Sequence, residues 1–169
     1  MAQLPKDTDI IILAAAALSR AAWQALLAQQ PGLNVWGTAS DFSDLTVLTR
    51  PDGAAAILLD FPELSLELVQ KITTAVPTYG LLVLVNEYDL FQIVSLLQAG
   101  AVGILSRNAT VPELSRSLIA AERGEIVLPP ALAARALAAL ARGEIHALQS
   151  SETLTERERE VLTLLAQGM

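Results

Sequence analysis

AAAILLD, residues 54–60, holds six apolar residues in succession and ends on a single carboxylate, Asp60. A strand with one solvated face alternates apolar and polar side chains, so the unbroken run over residues 54–59 predicts a strand covered on both faces, as in a parallel sheet. Downstream, residues 64–75 carry Leu64, Leu68, Ile72 and Ala75 at helical spacing until Pro77, and a second buried strand follows at 81–85. Residues 90–98 form the next helix, with Gly100 just past its end, then a strand at 102–105 and a helix at 111–123 opened by Thr110 and Pro112. Upstream, the pattern predicts a helix at 42–48, a strand at 33–37, a helix at 18–29 with Leu18, Ala22, Ala25 and Leu26 on its apolar rim, and a first strand at 9–13. Five strands alternating with five helices imply an α/β fold with a doubly wound parallel sheet, because a parallel connection needs a crossover and helices must cover both faces. The expected arrangement is flavodoxin-like, with strand order 2-1-3-4-5. Its ligand mouth then lies at the carboxyl ends of the first and third strands, among Ala14 to Ala17 and Asp60.

After Gly124 the composition changes. Pro129 and Pro130 open an Ala-rich helix to about Arg142, with Leu132, Ala136, Ala139 and Leu140 on one face and Arg135 and Arg142 on another. Gly143 ends it, and residues 147–153 are polar enough for a linker. A last helix is expected at 155–167, with Thr155 and Glu158 spaced as a capping box and Val161, Leu162 and Leu165 as its apolar stripe. A lone helix of that length is marginal in water, so it must dock on something or belong to a longer parent chain.

Among 169 residues, 53% are apolar and 17% charged, which supports a packed core and excludes disorder as the overall state. With no Cys there is no disulfide framework and no thiolate metal site, one His leaves little for a zinc enzyme, and a cytoplasmic location is expected. The longest apolar run, residues 10–18, is nine residues, about half of what a membrane span needs, and Asp7 and Asp9 precede it where a signal peptide carries positive charge. Residues 1–105 hold 10 acidic and 4 basic groups and residues 106–169 hold 8 and 7, so no stretch is basic enough to grip a phosphate backbone by itself. Direct DNA binding by this polypeptide is not expected. His146 reads as a surface residue, Trp23 and Trp36 as partly buried core anchors, and Arg157 and Arg159 as part of a solvated helix face. No glycine-rich phosphate loop follows the first strand, and no nucleophile and base stand together, so an enzyme is not expected.

The closing stretch LTEREREVLTLLAQG, residues 154–168, resembles the opening helix of a LuxR-type helix-turn-helix domain. LLD at 58–60, QAGAVGILSRNA at 98–109 and PEL at 112–114 resemble a receiver domain of the CheY-like kind. Together they resemble a response regulator of the NarL/LuxR class, divided as a receiver-like domain over 1–124, an Ala-rich helix and linker over 125–153, and the start of the helix-turn-helix domain over 154–169. The resemblance implies a two-component phosphorelay receiver that switches a DNA-binding domain controlling transcription. It also implies a longer regulator, of which this chain is read as a fragment.

Receivers of this family hold Mg²⁺ with an acidic pair after the first strand and an aspartate after the third. That aspartate accepts the phosphoryl group, and a hydroxyl after the fourth strand and a lysine after the fifth sense it. Carried over, the phosphoacceptor falls on Asp60. The acidic pair falls on Ala14 and Ala15, the hydroxyl on Val85 and the lysine on Arg107, and the loop through Phe61, Pro62 and Glu63 is shorter than the family's. Mg²⁺ needs oxygen ligands in octahedral array, so alanines at two of three ligand positions are expected to abolish its binding, leaving no cofactor. A guanidinium matches carboxylate geometry and keeps its proton, so Arg107 is expected to pair with Asp60, bidentately in the favoured geometry. The resulting expectation is a phosphorylation-independent pseudo-receiver that acts as a homodimer or through partner contacts, a sensor kinase among the candidates, and that meets DNA only through a complete C-terminal domain. The alternatives are a phosphorylatable receiver using Asp60 and a small-molecule-binding flavodoxin-like domain.

Overall fold

The computed structural model describes residues 6–50, 52–141, 161 and 163–166. His146, Arg142, Gly143, the 147–153 linker, the Thr155 and Glu158 capping box, Arg157, Arg159 and Leu162 lie outside the described residues.

The elements run β1 (Thr8–Ala14), α1 (Ala17–Leu27), β2 (Leu33–Ala39), α2 (Phe42–Leu48), β3 (Ala56–Asp60), α3 (Leu66–Ala75), β4 (Gly80–Val85), α4 (Leu90–Gln98), β5 (Gly103–Ser106), α5 (Val111–Glu122) and α6 (Pro130–Ala141). All strand pairs are parallel and the sheet order is β2-β1-β3-β4-β5, as the alternation of elements requires. Successive strand residues point to opposite faces, so the aliphatic runs feed two cores at once. Ile11, Leu13, Ile57, Leu59, Leu81, Val83 and Val85 face α2, α3 and α4. Ile10, Ile12, Ala14, Leu58, Leu82 and Leu84 face α1 and α5. Leu132 and Ala133 of α6, with Val161 and Leu165, close over the first of these cores.

Gly80 opens β4 directly beneath α5, where a Cβ would lie 1.7 Å from the carbonyl oxygen of Ala121. Beyond β5, the chain returns at Val127. Its N–H donates to Val102 O at 2.8 Å and its carbonyl accepts from Ile104 N at 3.0 Å, a single bridge on the outer border of the sheet.

Two expectations need correction. The buried side of α1 is built from Trp23, Leu26 and Leu27 with the stem of Arg20, while Leu18, at 83% exposure, and Ala22 and Ala25 face outward. Trp36 is exposed instead of anchored in the core. The β1–β2 register passes from Ile10 opposite Val35 to Ile11 opposite Gly37, so Trp36 is the extra residue of a bulge and turns out of the sheet. There its ring lies 3.7 Å from the Arg50 guanidinium and its Nε1 donates to Leu48 O. Of the Ala14 to Ala17 run at the mouth, Ala14 is buried and the next three are exposed.

Candidate functional site

Ala14 ends β1 and Asp60 ends β3, and the two are register partners, so the mouth of the sheet forms where the strand order reverses. The Asp60 carboxylate is 13% exposed. Its Oδ1 accepts from Arg107 Nε at 2.9 Å and lies 2.7 Å from Nη2 of the same guanidinium in an ion pair. Its Oδ2 accepts the indole Nε1–H of Trp23 at 2.7 Å. The Arg107 and Asp60 pairing anticipated from charge is present, but not as a two-oxygen fork. The indole takes the second oxygen, so both guanidinium nitrogens converge on the first.

Arg107 is fastened further. Its Nη1 donates to Asn86 Oδ1 at 2.7 Å, its Nη2 to Phe61 O at 2.6 Å, and its backbone N–H to Val85 O at 3.0 Å. One side chain on the β5–α5 connection thereby ties the loops after β3 and β4 to each other and to Asp60. Lysine, with a single ammonium, has too few nitrogens for this pattern.

Across the mouth, Arg20 Nη1 donates to Ala14 O at 2.6 Å and Ala15 O at 2.7 Å. The same guanidinium acts on Asp44, whose carboxyl is held below its ordinary range first by the Ser40 hydroxyl and amide and then by Arg20. Val85, at the hydroxyl-equivalent position, is buried at the end of β4. Ala14 is buried and Ala15 exposed, and neither offers a side-chain oxygen.

These groups do not suit a divalent ion. Asp60 has both oxygens engaged by protein donors, and the Ala14 and Ala15 carbonyls already accept from Arg20. Among the described residues, no group of three His, Cys, Asp or Glu side chains could hold a metal. The arrangement is a closed, charge-balanced hydrogen-bond network. Beside it, a cleft of about 430 Å³ runs between Phe61, Pro62 and Leu64 on one side and Asn86 and Gln92 on the other.

Sequence reasoning missed Trp23, Arg20 and Asn86 as members of the site. Positions 20, 23 and 27 share one side of a helix, and that spacing was the available signal.

No family model matches the chain. It is 29% identical over 157 residues to the transcriptional regulatory protein YxjL of Bacillus subtilis, covering 90% of this chain and 72% of that protein. It is 31% identical over 147 residues to the transcriptional regulatory protein LiaR of the same organism, covering 85% and 69%. Among solved structures, a two-component response regulator of the LuxR family from Aurantimonas sp. SI85-9A1 superimposes with a TM-score of 0.63 at 19% identity, covering 76% of this chain and 94% of that one. With the parallel sheet, the mouth at Asp60 and these relatives, the chain belongs to the NarL/LuxR family of response regulators.

Proposed function

We propose that the chain is the receiver-like module of a transcriptional response regulator in which Asp60 is not phosphorylated and Mg²⁺ is not bound. The observation that carries this reading is the saturation of Asp60 by Trp23 and Arg107, next to alanines where the family places its acidic pair. Phosphoryl transfer relies on a cation to neutralise the developing charge, and a nucleophilic oxygen must be free to attack. Here both oxygens are acceptors of short, charge-assisted or indole bonds.

The module works through protein contact. A homodimer is supported by the outward side of α1, where Leu18, Ala21, Ala22 and Ala25 are exposed and no acidic residue occurs in the helix, in a chain of net charge −7. Two like-charged copies meet with least repulsion across such a neutral face, and an isologous contact suits it. DNA is engaged by a complete helix-turn-helix domain, whose first helix residues 154–168 resemble, and a sensor kinase is not needed to set the state.

The test is intact-mass analysis after incubation with a small phosphodonor and Mg²⁺, with sedimentation velocity alongside. The expected result is no added phosphoryl group and an unchanged concentration-dependent dimer. A phosphoryl mass gain that disappears in Asp60→Asn overturns the reading of the site, and a monomer at all concentrations overturns the dimer.

A further inference from the structure

α1 leaves the mouth without a cap. Its N-cap residue, Ala16, has no side chain to accept a first-turn N–H, and no side-chain bond caps it. The four alanines that carry the chain from β1 into the helix have no polar side-chain atom with which to fix the entry angle. Arg20 is the side chain that does reach back: its Nη1 holds Ala14 O and Ala15 O, the carbonyls between the strand and the helix. Trp23 stands three residues further on, on the same side of α1, and its indole N–H reaches Asp60 Oδ2 at 2.7 Å.

We infer that Arg20 is a positioning residue of the Asp60 site. By gripping the carbonyl ends of β1 it fixes the placement of α1 at which the Trp23 indole closes over Asp60. The chemistry is economical in reach. A hydrogen bond between indole and carboxylate fails with a displacement of about 1 Å, because the interaction weakens steeply beyond ordinary donor–acceptor distances. Packing alone leaves α1 little directional constraint near its N-terminus, since Leu27, its one fully buried residue, lies at the far end. Two charge-assisted bonds, one to the last carbonyl of β1 and one to the carbonyl after it, supply that constraint where it is needed. This deepens the reading of Asp60 as a closed carboxylate, and rests on it for its functional meaning.

The indole N–H resonances test it directly, in protein that has met no phosphodonor. Trp36 donates to Leu48 O far from the mouth and serves as the internal control. Asp60→Asn assigns the Trp23 signal and calibrates the loss of the carboxylate acceptor. In Arg20→Ala the Trp23 signal is expected to move toward its Asp60→Asn position and its exchange with solvent to rise about tenfold, the scale of one charge-assisted hydrogen bond. The Trp36 signal stays in place. Arg20→Lys, which still donates to a carbonyl, is expected to recover most of the shift. A Trp23 signal that does not move in Arg20→Ala overturns the inference. If that variant loses its fold, read at Trp36, then Arg20→Met, which keeps the stem and has no donor, decides in the same way. Phosphorylation of the wild-type chain would overturn the proposed function and leave this result standing, so the two failures are distinguishable.

Discussion

Arg107 is the residue on which the mouth turns. It spends all three guanidinium nitrogens on Asp60, Asn86 and Phe61, so its removal leaves a mostly buried carboxylate held by an indole alone. Arg107→Ala is expected to cost about 1–3 kcal/mol in urea unfolding, the range for losing bonds to a charged group at a site still partly solvated. A loss below about 0.5 kcal/mol, the scale of an ordinary surface substitution, would mean that the network contributes little. The pairing of Arg107 with Asp60 was legible in the sequence from position and charge. The indole was not. α1 is apolar nearly all round, so no polar contrast marks its buried side, and Leu18 with Ala22 and Ala25 made a more hydrophobic stripe than the Arg20 and Trp23 side that faces in. A half-buried arginine with its head on backbone carbonyls looks, in sequence, like an outward charge.

At the scale of elements, the strands other than β2 were plain because each is built on an aliphatic run, and observed bounds differ from the expected ones by one or two residues in most elements. The bulge at Trp36 was not legible, since it follows from how Trp36 and Leu48 pack across the edge of the sheet. α5 shows local chemistry at its clearest. Thr110 Oγ1 accepts the Glu113 N–H while Glu113 Oε2 accepts the Thr110 N–H, a reciprocal cap that the sequence announces with Thr110 and Pro112. The Thr110 amide and hydroxyl hold the Glu113 carboxyl below its ordinary range. A carboxyl lowered in the folded state stabilises above its unfolded value and loses that contribution as pH falls through the folded one. Amide exchange at the start of α5 is therefore expected to accelerate as pH drops below the usual carboxylate range, after correction for intrinsic rates, and Glu113→Gln should abolish that dependence. An acceleration that survives in Glu113→Gln would assign it to another group. Tyr88 links this end of the sheet to α6: its hydroxyl accepts the Ser106 N–H, and its carbonyl accepts from Arg135. Through Asn86, two residues earlier, the same loop is held by Arg107. The β4–α4 connection thus joins the mouth to α6 by direct bonds.

For the whole molecule, a central sheet with a core on each face accounts for how a chain with few aromatic residues folds, because the aliphatic strands are shared by both cores. Among the described residues, no helix is long and apolar enough to cross a membrane. The lateral borders of the sheet have a further consequence. Open strands invite pairing with other chains, the route to fibrous association. On the β5 side, Val127 occupies that position with a strand's hydrogen bonds, and on the β2 side the displaced Trp36, roofed by Arg50, breaks the flat run that a foreign strand would need. Val127→Pro removes the N–H given to Val102, so light scattering on concentrating or mild heating is expected to rise well above wild type while the mouth resonances persist. Equal scattering from both proteins would show that this border needs no guard. The segment leading into α6 is then both a connector and a seal: the same few residues that carry the chain away from the sheet also deny its last strand to a foreign one.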